Sequence, residues 1–204
     1  MPGKLSVAFI TIRDDSLSID RNLAIGLEDG IINGIDCEDD KLAVVLFGND
    51  DSQVQVLDLQ GSVLYRFRNR RMRYIGNPTF SEDGTHMYVS EVKHVFCLNL
   101  HGKIVAKYKD RDLQGAVMSL ADSSGDVLVC GLDSHNIHQL TKSCKKVQVL
   151  LTEADGIDTP RHICLSEDKT RLYVAMKPDK VKVYILERTD STREKEKIHK
   201  CSIQ

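Results

Sequence analysis

Four segments of the chain carry one pattern, and this repeat limits the available folds more than any other feature. They are GIDCEDDKLAVVLFGNDDSQVQVLDLQGSVLYRF from Gly34, TFSEDGTHMYVSEVKHVFCLNLHGKIVAKY from Thr79, MSLADSSGDVLVCGLDSHNIHQLTKSCKKVQVLL from Met118, and ICLSEDKTRLYVAMKPDKVKVYIL from Ile163. Each opens on a short apolar strand and turns through an acidic or glycine-containing tetrapeptide (EDDK, EDGT, SSGD, EDKT). A β-rich run follows (LAVVL, MYVS, VLVC, LYVAM), then a polar turn and another strand, and three segments add one strand more (SVLYRF, KIVAKY, KVQVLL). Anchored on the second strand, the equivalent positions are Leu42, Met87, Val127 and Leu172, at steps of 45, 40 and 45 residues. Short runs of Val, Ile, Leu and Tyr bounded by Asp, Gly, Asn and Ser at this period are the signature of propeller blades, each of four antiparallel strands.

A blade cannot bury both faces of its sheet alone; it needs a neighbour on each side. The expected blades are residues 31–76, 77–115, 116–158 and 159–186. Residues 1–30 (SVAFITI, SLSIDRNLAIGL) read as the outer strands of a preceding blade. The result is an all-β propeller of about four blades plus part of a fifth. The expectation is an incomplete ring of the six-bladed type; the alternatives are a compact four- or five-bladed closure, or an open arc that pairs with another chain. Residues 187–204 lose strand periodicity and read as a charged, solvated tail, with KIHKCSI as an alternative outer strand of the last blade. The expected core is Val44, Leu46, Val56, Leu57, Phe80, Tyr88, Val89, Phe96, Leu98, Val127, Val129, Ile163, Leu165, Tyr173 and Val183. An open arc would expose two apolar blade faces, so self-association is expected.

The chain has 204 residues, 41% hydrophobic and 28% charged, an ordinary globular mix. No run approaches 18 uncharged apolar residues, so no membrane-spanning helix and no membrane partner are expected. The six cysteines form no C-x-x-C pair, which argues against zinc-finger and thioredoxin-like readings. Cys97, Cys130 and Cys164 sit in apolar strand-like runs, where a free thiol behaves as a small hydrophobe. A reduced, cytoplasmic protein is therefore expected.

The motif order SLSIDRNLAIG, GIDCEDDKLAVVL, VQVLDLQGSVLYRF, FSEDGTHMYVSE, VFCLNLHGKIVAKY, LADSSGDVLVCGLDSHNIHQL resembles the C-terminal NHL-type propeller of tripartite-motif proteins, closest to the invertebrate, molluscan set. The resemblance covers nearly the whole chain. It implies an NHL-like propeller acting as the substrate- or partner-recognition half of a ubiquitin-ligase-like protein. The RING finger, B-boxes and coiled coil usual in that family have no counterpart in these residues, so ligase activity does not carry over.

Charge is unevenly placed. Residues 1–60 hold 12 acidic against 4 basic side chains, and residues 61–120 hold 5 against 10. Five arginines fall within Arg66–Arg73 (Arg66, Arg68, Arg70, Arg71 and Arg73), interleaved with aromatics and followed by Tyr74. Forked guanidinium groups on a loop between blades could hold phosphate, an RNA backbone or acidic peptides, with Tyr65 and Tyr74 stacking on bases. NHL propellers of some tripartite-motif relatives bind RNA through a basic face, and the resemblance supports that possibility. The structural reading is that Arg66 and Arg68 occupy the solvent face of an outer strand whose other face is Tyr65 and Phe67.

Catalytic signatures are missing: the chain has no G-x-S-x-G, P-loop, G-x-G-x-x-G or H-E-x-x-H. A binding protein, not an enzyme, is expected, with no cofactor and no metal. His135 and His138 form H-x-x-H, but Asn136–Leu140 reads as a strand, on which residues three apart point to opposite faces; the alternative is a turn that starts at His135. Asp36 and Glu38 are the inner-strand carboxylates that a metal-dependent propeller hydrolase would need, and they come from one blade. The recurring Glu38-Asp39-Asp40, Glu82-Asp83-Gly84 and Glu167-Asp168-Lys169 read as turn chemistry.

Overall fold

The computed structural model describes residues 6–13, 16–25, 31–48, 52–68, 75–121, 125–187 and 197–200. They form one antiparallel hairpin and four four-stranded antiparallel sheets. The hairpin pairs β1 (Ser6–Arg13) with β2 (Ser16–Ala24). Blade 1 is β3 (Ile31–Glu38), β4 (Lys41–Phe47), β5 (Ser52–Asp58) and β6 (Val63–Arg68), and blade 2 is β7 (Ile75–Phe80), β8 (His86–Glu91), β9 (His94–Asn99) and β10 (Ile104–Tyr108). Blade 3 is β11 (Ala116–Ala121), β12 (Val127–Gly131), β13 (Asn136–Leu140) and β14 (Lys146–Leu151), and blade 4 is β15 (Pro160–Leu165), β16 (Arg171–Met176), β17 (Lys180–Glu187) and β18 (Lys197–Lys200). In every blade the strands lie in sequence order. The first strands touch one another in series, β3 to β7 to β11 to β15, so they are innermost. The arrangement is a β-propeller.

The four repeat anchors prove structurally equivalent. Leu42, Met87, Val127 and Leu172 are all at most 3% exposed, and each packs towards the preceding unit. Their neighbours face the following unit: Ala43 meets blade 2, Tyr88 meets blade 3, and Leu128 meets blade 4. Stacking of blades is thus continuous burial of alternating strand faces. The hairpin takes the same place at the other end, where Val7 and Leu23 cover Leu42, Val44 and Leu46. A Cβ on Gly61 would strike Leu23, as one on Gly102 would strike Tyr65, so β2 stands to blade 1 as β6 stands to blade 2.

The acidic turns hold themselves together. In blade 2 the Asp83 carboxylate accepts from the Ser81 hydroxyl (2.6 Å), the Thr85 hydroxyl (2.6 Å) and the Thr85 amide (3.0 Å). Blade 4 repeats this with Asp168, Ser166 and Thr170. These donors hold Asp83 well below the usual carboxylate range and Asp168 at about 2.

Three features differ from expectation. Leu165, Tyr173 and Val183 are only partly buried: Leu165 borders the cluster between blades 3 and 4, whereas Tyr173, the blade 4 counterpart of Tyr88, and its cross-strand partner Val183 lie on a face that no blade among the described residues covers. Cys164 lies on that same uncovered face, paired with Tyr173, and is exposed rather than core. In the charged tail, Lys197–Lys200 pair with Tyr184–Glu187 and supply the fourth strand of blade 4. Among the described residues no helix is long and apolar enough to cross a membrane.

Candidate functional site

Every innermost strand carries a bulge near its start. The register slips between Ile32 and Gly34, Ile75 and Pro78, Ala116 and Met118, and Pro160 and His162. A bulge leaves one residue out of the ladder and re-aims it. Here the extra residues are Asn33, Val117 and Arg161, with Gly76 and Asn77 sharing the slip in blade 2. Asn33, Asn77, Val117 and Arg161 are spaced 44, 40 and 44 apart, the repeat period itself. All four line one cavity of about 460 Å³ among the inner strands. Ile75, Val92, Ala116 and Leu132 give it an apolar floor, while Asp133 and His162 add polar groups.

The packing that forms this cavity is tight. A Cβ on Gly76 would lie 2.1 Å from the Val117 carbonyl oxygen and 2.5 Å from Ser90 Oγ. A Cβ on Gly34 would lie 2.4 Å from Asn77 Oδ1. Only glycine lets consecutive inner strands approach this closely. Two polar ties then fix the spacing. Asn33 Nδ2 donates to the Ile75 carbonyl at 2.8 Å, and the Ala116 amide donates to the Val92 carbonyl at 3.1 Å. Pro78 is tolerated because β7 is an inner edge strand with a bulge.

Within this frame Arg161 is exposed to the cavity and pairs with no carboxylate among the described residues. Asp36 is directed elsewhere: its carboxylate accepts the Phe80 amide at 2.7 Å, tying blade 1 to blade 2, and desolvation raises its pKa. It braces two blades instead of facing an axial metal. Among the described residues no group of three His, Cys, Asp or Glu side chains is placed to hold a metal ion.

The two histidines of the H-x-x-H separate, His138 on β13 and His135 in the turn before it. His138 is fully buried between blades 2 and 3, where its Nδ1 meets the Tyr108 hydroxyl at 2.9 Å. Tyr108 in turn donates to Asp110 at 2.9 Å, and Asp110 pairs with Lys146 at 2.8 Å. Tyr108 therefore accepts from His138 Nδ1–H, and burial lowers the His138 pKa. Its Nε2 is buried without a partner. His135 ends the turn before β13 at φ +49°, and its Nδ1 accepts the Thr159 amide at 3.0 Å.

Of the arginine segment, Arg66 and Arg68 lie exposed on one face of β6, and Phe67 on the other is buried against blade 2. Tyr65 packs on that same interface with its hydroxyl buried, and desolvation pushes it up to about 12, so it is no stacking platform. Arg70, Arg71, Arg73 and Tyr74 lie outside the described residues. β6 is the outermost strand of blade 1, whereas the cavity lies at the innermost. Asn33, Asn77 and Arg161 escaped sequence reasoning; their signal was the repeat spacing of polar residues near the start of three inner strands.

No protein-family model and no curated protein matches the sequence. Solved structures do match. A protein of unknown function from Bacteroides caccae superposes over 82% of this chain and 67% of its own at TM-score 0.63 and 16% identity. A functionally unknown protein from Desulfotomaculum acetoxidans superposes over 97% and 64% at TM-score 0.72 and 11% identity. The Dos1 propeller superposes over 82% and 44% at TM-score 0.67 and 16% identity. These likenesses show the fold. The chain thus spans about two thirds or less of each longer relative in structure.

Proposed function

We propose that this propeller is a recognition module, not a catalyst, and that it holds a segment of a protein partner at its axial cavity. The observation that carries the reading is the repeated bulge, which delivers Asn33, Asn77, Val117 and Arg161 to one apolar-floored cavity. An unpaired guanidinium over an apolar floor fits a ligand with an acidic side chain or a terminal carboxylate beside an apolar residue. The resemblance of the repeats to the tripartite-motif propeller supports the same role, substrate recognition for a ligase-like assembly, in a cytoplasmic setting. That kinship rests on the repeat motifs alone.

Random-peptide display on the purified chain tests the proposal. Enriched peptides should share an anionic group, and Arg161→Ala should weaken them by about 10- to 100-fold. Enrichment without an anionic group, or unchanged binding by the variant, refutes it.

A second reading, RNA or phosphate binding through the arginine segment, draws on the shared exposed face of Arg66 and Arg68. Retention of a mixed-sequence RNA pool that falls with salt, and falls less steeply once Arg66 and Arg68 are neutralised, would support it. Salt-independent or absent retention would remove it.

A further inference from the structure

Blades 2 and 3 bring two cysteines together from distant parts of the chain. Cys97 lies on β9, paired with Tyr88, and is 1% exposed. Cys144 lies in the turn between β13 and β14 and is 4% exposed. Both belong to one buried cluster with Tyr88, Val95, Leu113 and Leu140. Both adjoin Tyr88: Cys97 is its cross-strand partner, and Cys144 follows by two residues the Lys142 carbonyl that the Tyr88 hydroxyl binds.

The backbone at Cys144 is unusual for a cysteine. The equivalent turns of blades 1 and 2 carry Gly61 and Gly102, both at positive φ. The three turns share their closing bonds: Gly61 donates to Asp58, Gly102 to Asn99 and Cys144 to Thr141, all through backbone amides. Cys144 stands at φ +58°, a left-handed conformation that costs a non-glycine residue about 1 kcal/mol. The turn is also pinned to blade 2, because the Tyr88 hydroxyl donates to the Lys142 carbonyl at 2.9 Å. A strained position that glycine would fill more easily is thus occupied by a thiol buried in the same cluster as another thiol.

We propose that Cys97 and Cys144 form a reversible inter-blade disulfide when the protein meets an oxidant such as a low-molecular-weight disulfide. Lys142, Ser143 and Lys145 around Cys144 are exposed, so a small opening of this turn admits the oxidant. The neighbouring Cys144 lowers the Cys97 pKa, so Cys97 loses its proton to water first and becomes the thiolate. That thiolate attacks one sulfur of the oxidant, and the oxidant's S–S bond breaks to release one thiolate. Cys144 loses its proton to water and attacks the Cys97 sulfur of the mixed disulfide, releasing the second thiolate. Two protein thiols are oxidised by two electrons, and one oxidant disulfide is reduced to two thiols. The bond closes a loop of 48 residues and locks the interface whose Val92, Ala116 and Leu132 form part of the cavity wall.

The test uses the full chain in glutathione and glutathione disulfide mixtures, followed by alkylation, non-reducing peptide mapping and thermal melts. The expected result is one cross-linked peptide joining Cys97 and Cys144, with Tm rising by about 5–10 °C and falling back on treatment with dithiothreitol. Cys144→Gly, which suits the left-handed turn, should fold and lose both the cross-link and the Tm gain. If that variant does not fold, Cys97→Ala supplies the same readout. A chain that stays reduced in the most oxidising mixture, a cross-link through Cys37 or Cys164 instead, or a Cys97–Cys144 bond without a Tm change would each overturn the proposal.

Discussion

Tyr88 and Tyr173 occupy the same repeat position, one residue after the anchors Met87 and Leu172, yet only one has a blade stacked on it. Truncating both to alanine therefore measures what a neighbouring blade contributes. Tyr88 is 1% exposed, and a buried tyrosine removes about 150–200 Å² from water, worth about 4–5 kcal/mol at 25 cal/mol per Å². Its hydroxyl also donates to the Lys142 carbonyl. With the cavity left behind, Tyr88→Ala should cost about 4–5 kcal/mol. Tyr173 is partly buried, and among the described residues no blade stacks on it, so truncation leaves no enclosed void there. Its loss should be about 1–2 kcal/mol. Urea unfolding at several protein concentrations, with the m-value checked for constancy, reads both numbers. Equal losses would refute the picture of an uncovered blade 4 face. If the Tyr173 loss also grew with protein concentration, a second copy would be covering that face.

Three more outcomes follow from the same contacts. Gly76→Ala places a methyl 2.1 Å from a backbone oxygen and should destabilise by about 1–3 kcal/mol, read as a lower urea midpoint; a change under about 0.5 kcal/mol would refute the close strand approach. Burial depresses the His138 pKa, so its contribution to stability is complete above the unfolded value of about 6.5 and is lost as pH falls below it. Between pH 7 and 5 the parent chain should lose stability more steeply than His138→Gln, by up to about 1.4 kcal/mol per pH unit, and parallel curves would contradict the assignment. Leu17 and Ile19 are 65% and 62% exposed on the hairpin, and Val181 is 58% exposed on blade 4, so the chain should self-associate in light scattering, and Leu17→Lys with Ile19→Lys should reduce this; a monodisperse monomer before mutation would contradict it.

What could be read in the residues was whatever repeats with the strand period. Leu42, Met87, Val127 and Leu172 were legible because alternation and spacing both mark them, and all four are buried. The acidic turns were legible because Asp two residues after Ser and two before Thr has a local bonding solution, seen at Asp83 and again at Asp168. Tyr173, Val183 and Cys164 misled because their sequence context matches a buried strand, while burial depends on what stacks on that face of the sheet. The strand at Lys197–Lys200 stood only as the alternative to a solvated tail because of its charge, which an outer strand tolerates. Cys144 went unnoticed because its significance lies in comparison with Gly61 and Gly102, not in its own neighbours.

The candidate site was the least legible part, and the reason is physical. A bulge is an insertion of one residue into a ladder, and nothing in a single strand's composition announces it. In this chain the bulge recurs in every innermost strand, while the residue it delivers varies from Asn33 and Asn77 to Val117 and Arg161. The backbone irregularity is therefore common to the repeat, and the chemistry is particular to each blade. A structural device needed only for stacking would be expected to keep similar side chains at equivalent positions, as the four buried anchors do. Divergent side chains on a shared geometry, all lining one cavity, are what a binding site built from a repeat requires, because one ligand presents different groups to different blades. Arg161 is the only charged member of that set, which makes it the position where a single substitution should separate binding from folding.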